Sequence, residues 1–236
     1  MNIFNIIKNK QEYWLVDQIN KEDISTESYI RGLTDILEEW SRLEIGYLSL
    51  LMDEQFESWL LEKKFHKISS IVEYTRKLED LPLTNDQIVC HSLAEGLMDD
   101  QEYAELYELC RSGSANKNTK QPIAQVMSSL ESELGPEWRK HCYYFLKEGG
   151  FAGISIPHIE MGTKEEGRLF YFGVVPELRG KGIGAQIHRV SMILLKKFQA
   201  TYYVGSTDVN NANMIKIFEK NGCELRDRKG IYKIVR

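Results

Sequence analysis

A glycine-rich stretch between a strand-like segment and a helix-like segment constrains the fold of this chain most. Residues 169–175 are apolar, aromatic or β-branched over the length of one strand, which predicts a β-strand. From residue 183 onward, apolar side chains recur at spacings of three and four, which predicts an amphipathic helix. Gly180, Gly182 and Gly184 alternate where the two segments meet. The sequence therefore predicts a strand, a glycine loop and a helix in direct succession.

This junction has the properties of an anion-binding site. The first backbone N–H groups of a helix have no intrahelical partners, and the aligned peptide dipoles place about half a positive charge there. Glycine lacks the Cβ atom that would hold a phosphate away from those amides, and it accepts positive φ angles. Arg179 and Lys181 add positive charge beside the glycines. We therefore expect this loop to bind the phosphate groups of a ligand.

Two common phosphate-binding motifs do not match this loop. A Walker loop requires Ser or Thr directly after a Gly-Lys pair, whereas Gly180-Lys181 is followed by Gly182. The dinucleotide fingerprint requires G-x-G-x-x-G and an acidic residue about 20 positions further on. Here the glycines alternate, and the segment at that distance has no acid before Asp208. A nucleotide-cofactor dehydrogenase is therefore disfavoured.

The loop instead follows the pattern Arg-x-x-Gly-x-Gly. Arg179, Gly182 and Gly184 fill the fixed positions, and Val-x-Pro precedes them at residues 174–176. This arrangement resembles the acetyl-CoA pyrophosphate loop of the GNAT superfamily of N-acetyltransferases.

A second segment, residues 211–222, supports the same resemblance. In the family an Asn is followed by a small or apolar residue three positions later, an aromatic at seven and a Gly at eleven. The residues in those places are Asn211, Met214, Phe218 and Gly222. A helix explains the same pattern without any ligand, since Asp208 or Asn210 can cap its start and Gly222 suits its C′ position. In addition, the Asn amide can bond the amide-rich pantetheine arm of coenzyme A.

The resemblance implies a fold, a co-substrate and a set of binding residues. The fold class would be α/β (α+β), with a mixed, mostly antiparallel central sheet that is splayed at the acetyl-CoA site and flanked by helices. Acetyl-CoA would be the co-substrate, with its pantetheine arm along the sheet edge and a backbone N–H near Val174 on the thioester carbonyl; no metal is implied. The expected cofactor-binding residues are Phe172, Gly173, Val174, Arg179, Gly180, Lys181, Gly182, Ile183, Gly184, Ala185, Asn211 and Phe218.

The resemblance identifies no catalytic residue in this chain. Family members that use a general acid often place a Tyr hydroxyl where this sequence has Phe218. Some members carry a glutamate base five residues before the motif Asn, where this sequence has Ser206, and Arg168 occupies another position used for a base. The polar residues expected near the acceptor side, each of which is also an ordinary sheet or hairpin residue, are His158, Glu160, Glu166 and Tyr171.

Two functions therefore stay open at the level of sequence. In the first, the protein moves an acetyl group from acetyl-CoA to a primary amine, on a small molecule or a protein, by direct attack on the thioester. In the second, the protein is a non-catalytic acyl-CoA-binding sensor or interaction module on the same fold. The absence of the Tyr and Glu used by some family members keeps the second function open.

The sequence predicts two domains. Residues 81–236 would form the acetyltransferase domain, and residues 1–80 a smaller N-terminal α/β subdomain. The N-terminal part is predicted to contain strands at 12–19, 44–52 and 67–74 and helices at 26–43 and 53–64. This order of elements is also expected from residue 168 to residue 236, so the N-terminal part is either a truncated, degenerate GNAT-like half or an unrelated extension. It lacks the Arg-x-x-Gly-x-Gly pattern, and we expect one cofactor site per chain.

The elements expected upstream of the glycine loop complete the larger domain. Helices are predicted at 99–110 and 123–134, with a mobile polar loop at 111–120 that would shape the acceptor pocket. Strands are predicted at 87–93, 142–147, 151–160 and 168–175.

Composition and charge exclude several partners. The formal net charge of −5 argues against a broad basic surface for nucleic acid. The four cysteines, at positions 90, 110, 142 and 223, have no C-x-x-C or metal-ligand spacing, so we expect reduced thiols and no metal. The sequence has no run of 18 apolar residues and no signal-peptide pattern. We expect a cytoplasmic monomer or homodimer that does not bind membranes.

Overall fold

Backbone contacts divide the chain into two units. The computed structural model describes residues 3–9, 13–19, 24–81, 88–114 and 121–236. The first unit contains Met1–Val72 together with Asp227–Arg236, and the second contains Glu73–Arg226. The division of the sequence into domains near residue 80 stays a prediction. Among the described residues, no helix combines the length and the apolar character needed to cross a membrane.

The first unit is a four-stranded sheet with helices. Its strands are β1 (Phe4–Lys8), β2 (Tyr13–Gln18), β3 (Tyr47–Met52) and the end of β10 (Glu224–Val235), in the order β1-β2-β3-β10. β2 and β3 are parallel through five residue pairs, and helix α1 (Thr26–Ser41) connects them. The C-terminal strand β10 lies antiparallel to β3.

Helix α1 is specified by a cap and by an apolar stripe. The Ser25 side chain accepts a hydrogen bond from the Ser28 amide, which satisfies one free N–H group of the first turn. The buried side chains are spaced by three or four residues, which places them on one face toward the core of this unit. They are Tyr29, Leu33, Ile36 and Trp40.

After β3, a single 3₁₀ turn (Glu54–Phe56) and helix α2 (Glu57–Glu62) replace the one helix predicted at residues 53–64. Strand β4 (His66–Lys77) follows and begins in the first unit. Lys67 on β4 donates to Glu54 at 2.9 Å and to Glu57 at 2.5 Å. The hydrogen bond from Lys67 to Glu54, and as the next largest cause the one from Ser70, lower the pKa of Glu54 to about 2.

The second unit contains the predicted glycine loop. Its strands are the end of β4, β5 (Ile88–Ser92), β6 (Tyr143–Lys147), β7 (Gly150–Ile159), β8 (Glu166–Val174) and β9 (Tyr202–Asp208), in the order β4-β9-β8-β7-β6-β5. The pairs from β5 to β8 are antiparallel, and the β8–β9 pair is parallel. The helices are α3 (Asp100–Arg111), α4 (Ile123–Leu134), α5 (Ile183–Lys197) and α6 (Ala212–Lys220).

Two layers of helix enclose this second sheet. Side chains of α3 and α4 pack with Ile154 and Ile156 of β7 in one buried cluster. Side chains of α5 pack with Phe145 and Ala152 in another. These residues of β7 are two apart, so a regular strand would place them on one face, but a register shift leaves Ala152 as an extra residue between the pairs Phe145–Gly153 and Leu146–Phe151. Because of this bulge, β7 contributes to both layers. The expected mixed, mostly antiparallel sheet flanked by helices is confirmed.

Each unit also contains a strand that is distant in sequence from the strand beside it. In the second unit, β4 lies beside β9, where Thr75 Oγ1 donates to the Tyr203 carbonyl at 2.9 Å. In the first unit, β10 completes the sheet beside β3. The predicted positions of the helices and strands agree with the observed ones to within a few residues, but β1 was not predicted. Residue 12 of the strand predicted at 12–19, residue 87 of the strand predicted at 87–93 and residues 115–120 of the predicted loop lie outside the described residues.

The low pKa of Glu54 leads to a prediction for the first unit. The folded pKa of about 2 lies below the ordinary value of 4.5, so ionised Glu54 stabilises the fold above pH 4.5, and this stabilisation is lost as the pH falls toward 2. Glu54→Gln should lower the free energy of unfolding by about 1–2 kcal/mol at pH 7, a value reduced for partial solvent exposure. The difference from wild type should shrink toward zero near pH 2.

Urea titrations followed by tryptophan fluorescence measure this difference, because three of the four tryptophans, at positions 14, 40 and 59, belong to the first unit. A difference between Glu54→Gln and wild type that stays constant from pH 7 to pH 2.5 would contradict this account.

Candidate functional site

Strands β8 and β9 separate after two residue pairs. The parallel ladder contains Glu166 with Tyr202 and Gly167 with Tyr203. β8 then continues to Val174 and β9 to Asp208 without further pairing between them. We call this opening the fork, bounded by residues 168–174 of β8 and 204–208 of β9.

A register shift in β8 accompanies the fork. Ser155 of β7 pairs with Phe172, whereas Pro157 pairs with Leu169, so two residues of β8 oppose one residue of β7 between these pairs. Such a β-bulge bends its strand and increases the local twist. The bulge therefore explains why β8 turns away from β9.

The open edge of β8 presents polar backbone groups to the fork. Val175 N donates to Ala152 O of β7 at 3.1 Å, so this pair is a hydrogen-bonded one of the antiparallel ladder. Hydrogen-bonded and non-hydrogen-bonded pairs alternate along such a ladder. The N–H and C=O groups of Val174 and Phe172 therefore point away from β7, toward the fork.

The glycine loop begins where β8 ends. Pro176–Leu178 form one 3₁₀ turn, and Gly180 and Gly182 adopt positive φ angles of 73° and 81°. Gly182 caps helix α5 without a side-chain hydrogen bond. In this described loop, the amides of residues 180–185 donate to no backbone carbonyl and to no side chain. The helix start therefore presents a set of hydrogen-bond donors, as the sequence predicts.

The space around the glycines fits an anion. A Cβ atom at Gly180 would meet nothing within 4 Å, and one at Gly182 would meet only Lys220 Nζ, at 3.9 Å. By contrast, a Cβ atom at Gly184 would lie 2.8 Å from Ile217 Cδ1, so this glycine allows α5 and α6 to pack closely. The first two glycines leave the amides accessible, and the third serves packing.

Lys220 was not predicted as a site residue. Its ammonium group approaches the loop from the last turn of α6, and this places a positive charge beside Gly182. No local pattern distinguishes Lys220 from the other lysines of the sequence. Only the packing of α6 on α5 brings it to the loop.

Arg179 contacts the protein itself. Its Nε donates to the Val174 carbonyl at 3.0 Å, and its Nη2 donates to the Cys110 carbonyl at the end of α3 at 2.9 Å. The guanidinium therefore connects the loop to β8 and α3. Lys181 is exposed to solvent. Direct contact of either residue with a ligand stays a prediction.

Asn211 has a structural role at the start of α6. It is the N-cap residue, and its Oδ1 accepts from Met214 N at 3.2 Å while its Nδ2 donates to Thr207 Oγ1 at 2.9 Å. The expectation that Asp208 or Asn210 caps this helix is wrong, because Asp208 instead accepts from the Asn210 amide. The predicted contact of Asn211 with pantetheine stays a prediction.

Phe218 lies in an aromatic cluster on the α5–α6 side of the sheet. Its side chain is 1% exposed and stacks on Tyr74 at a centroid distance of 5.0 Å. Next to it, burial, followed by the charge of Arg76, lowers the pKa of His188 to about 3, so this imidazole is neutral at pH 7. The described role of Phe218 is packing, and its contact with a cofactor stays a prediction.

The opposite face of the fork carries charged residues. Arg168 Nε donates to Glu166 at 2.6 Å and lies 3.5 Å from Glu160. A hydrogen bond from His158, together with the charge of Arg168, lowers the pKa of Glu160. Burial raises the pKa of Tyr171, which keeps that phenol protonated. Three of the four predicted acceptor-side residues, His158, Glu160 and Glu166, thus form one connected ion cluster with Arg168.

Glu73 of β4 joins this face and was not predicted. Its Oε1 accepts from Ser206 Oγ of β9 at 3.0 Å and lies 3.7 Å from Arg168. The carboxyl and the hydroxyl are 133 residues apart in sequence. No local sequence motif predicts this contact, because it depends on β4 lying beside β9.

A surface depression formed by described residues lies elsewhere. It has a volume of about 790 Å³ and is lined mainly by residues 96–102 and by Arg139. None of the predicted cofactor residues lines it. Among the described residues, no group of three His, Cys, Asp or Glu side chains is placed to hold a metal ion.

The contacts of Arg179 lead to a prediction about stability. Arg179→Ala removes two hydrogen bonds to backbone carbonyls and should lower the free energy of unfolding by about 1–3 kcal/mol. The matched control Lys181→Ala removes a neighbouring exposed charge and should change this free energy by less than about 0.5 kcal/mol. Urea titration of both variants is the measurement, and equal losses in the two variants would contradict the structural role of Arg179.

Comparisons with known proteins agree on one family. A sequence model described as the acetyltransferase (GNAT) family matches residues 104–223, more than half of the chain. No curated protein sequence matches the chain significantly. The match covers the glycine loop, the fork and the Asn211 segment.

Solved structures share the fold at low sequence identity. A GCN5-related N-acetyltransferase from Sphaerobacter thermophilus has a TM-score of 0.66 at 13% identity, over 98% of this chain and 76% of that one. A GNAT-family acetyltransferase from Colwellia psychrerythraea has a TM-score of 0.61 at 13% identity, over 99% and 81%. A tandem GNAT protein from the clavulanic acid biosynthesis pathway has a TM-score of 0.60 at 14% identity, over 98% and 78%. On the evidence of the matched sequence model and of this fold, the chain belongs to the GNAT family of acetyltransferases.

Proposed function

We propose that this protein is an acetyl-CoA-dependent N-acetyltransferase that moves an acetyl group to a primary amine by direct attack on the thioester. One observation carries the proposal. The unpaired edge of β8 leads directly into a loop whose amides, at residues 180–185, have no protein acceptor. An extended polar groove that ends in an anion site suits a chain of amides that ends in a diphosphate.

The chain's own groups account for binding of the co-substrate. The amides of residues 180–185 and the N-terminus of α5 would hold the pyrophosphate, with Lys181 and Lys220 contributing charge. The N–H and C=O groups that Phe172 presents to the fork, and the N–H of Val174, would pair with the pantetheine amides as an added strand does. The remaining residues proposed to bind the cofactor would line this groove or hold its lining residues in place. They are Gly173, Arg179, Asn211 and Phe218.

The reaction requires little covalent chemistry from the protein. The amine nitrogen forms a bond to the thioester carbon, the carbon–sulfur bond breaks, and the amine loses one proton. A backbone N–H on the open edge of β8 would stabilise the oxyanion that develops on the carbonyl. Holding the two reactants in this geometry supplies much of the rate enhancement.

The second candidate function is binding of acyl-CoA without turnover. It is favoured by Phe218, which is buried and has no hydroxyl to protonate the departing thiolate. Turnover of an amine distinguishes the two candidates.

We infer one cofactor site per chain. In the first unit, β2 and β3 stay paired through five residue pairs, so the described residues of this unit contain no counterpart of the fork. The order β2-α1-β3-α2-β4 nevertheless repeats β8-α5-β9-α6-β10. We propose that residues 1–80 are a degenerate GNAT-like half. We also propose that the protein acts in the cytoplasm on an acceptor that is a small-molecule amine or a protein amine.

The proposed function predicts release of free thiol from acetyl-CoA in the presence of an amine. The panel consists of spermidine, D-glucosamine, L-lysine and phenethylamine, and release is followed with a thiol-reactive dye. We expect at least one amine to accelerate release above the amine-free rate. Tight binding of acetyl-CoA without release on any amine would contradict the transferase and favour the sensor.

A pair of glycine variants tests the binding loop by calorimetry. Gly182→Trp should abolish acetyl-CoA binding in calorimetry, because the indole would cover the amides. Gly149→Trp is the matched control, since Gly149 has a similar positive φ of 80° and open surroundings in a hairpin turn. Equal affinity for acetyl-CoA in the two variants would contradict the assignment of the loop.

A further inference from the structure

An exposed hydroxyl and a buried carboxylate form a pair on the charged face of the fork. Ser206 is exposed to solvent, whereas Glu73 behind it is 5% exposed. The Ser206 hydroxyl donates to Glu73 Oε1 at 3.0 Å. Any proton accepted at the surface by this hydroxyl thus has a direct path to an interior carboxylate.

The pair lies near the closed end of the fork. Ser206 is three residues beyond Tyr203, the last residue of β9 that pairs with β8. Ser206 and Tyr202 point to the same face, because alternate strand residues share a face, and the Tyr202 hydroxyl donates to Glu166 there. Arg168, which follows the last paired residue of β8, lies 3.7 Å from Glu73.

The direction of the groove would place the reacting end of the co-substrate near the closed end of the fork. The glycine loop follows the C-terminal end of β8, so a chain that extends from the loop along β8 runs from Val174 toward Arg168. Its far end therefore approaches the closed end of the fork. Under the proposed function, that end carries the acetyl group.

The surroundings of Glu73 suit a charged carboxylate. A carboxylate removed from water needs a compensating charge or hydrogen bonds, and Arg168 and Ser206 supply both. Arg168 also contacts Glu166 and Glu160, and Arg226 lies 3.7 Å from Glu166, so this face carries three carboxylates and two arginines. The excess of negative charge favours the approach of a cationic amine.

We propose that Ser206 and Glu73 form a proton relay for the acceptor amine, an inference that rests on the proposed acetyltransferase function. The ammonium form of the amine first loses one proton to water. As the lone pair of the neutral amine bonds to the thioester carbon, the carbon–sulfur bond breaks and its electron pair leaves on the coenzyme A thiolate, while one N–H proton of the amine moves to Ser206 Oγ. The hydroxyl proton of Ser206 moves at the same time to Glu73 Oε1. After the product leaves, the proton returns through Ser206 to water. Ser206 is the group that touches the amine, and Glu73 acts through it.

The test uses the full chain and the panel amine that wild type acetylates fastest. Ser206→Ala and Glu73→Gln should each lower kcat about 100-fold, a usual contribution of a positioned proton acceptor. The KM for acetyl-CoA should stay within about twofold. The double variant should be no slower than the slower single variant, because both changes interrupt one path, and Glu73→Asp should recover part of the rate.

Ser70→Ala is the matched control. Ser70 also lies on β4, and its hydroxyl also donates to a glutamate, Glu54, which belongs to the first unit. Its kcat should equal that of wild type within about twofold. Thermal unfolding and acetyl-CoA calorimetry check that each variant is folded, and the exposed Ser206→Ala variant carries the test if Glu73→Gln does not fold.

The possible outcomes separate the relay from the proposed function. If wild type releases thiol and either variant keeps kcat within threefold, or if the two losses multiply in the double variant, the relay is wrong and the function stands. If wild type releases no thiol with any amine of the panel, the proposed function fails and the relay fails with it.

Discussion

The separation of β8 from β9 after two residue pairs is the constraint on which the rest of the site depends. A continuous parallel ladder would use the backbone groups of Phe172 and Val174 within the sheet. The bulge opposite β7 turns β8 away, so these groups face the fork instead. The glycine loop then continues from the same strand, and its free amides lie at the start of a 15-residue helix. The strand edge and the proposed anion site thus form one continuous surface.

The two halves of the chain share one order of helices and strands but differ in the pairing of the strands and in the cap of the connecting helix. In both, a strand, a helix, a strand, a helix and a strand follow one another. In the first unit, β2 and β3 remain paired over five residues, and a serine rather than a glycine caps the connecting helix. Because these two strands stay paired, their described residues leave no open strand edge between them. The serine hydroxyl also accepts a hydrogen bond from a helix amide that an anion would otherwise bind. These differences in the described residues support the proposal of one cofactor site per chain.

The sequence predicted those features that depend on neighbouring residues. The apolar run before the loop, the glycines at positive φ and the helix that follows are all local, and the family resemblance rests on the same segments. Features that depend on distant contacts were missed. The sequence did not show that two carbonyls receive the Arg179 guanidinium, and Lys220 and Glu73 reach the site only through packing of α6 and β4. Contact of Arg179 with a phosphate stays a prediction. β1 has the apolar character of a strand but is only five residues long, and its pairing with β2 could not be foreseen from its sequence.

The most direct measurement of the central claim is amide hydrogen exchange with and without acetyl-CoA. Backbone amides that bind the co-substrate should exchange more slowly in its presence. We predict increased protection at residues 172–174 and 180–185, and no change in β2 and β3 of the first unit. Unchanged exchange at residues 180–185 with saturating acetyl-CoA, or protection confined to other segments, would contradict the account.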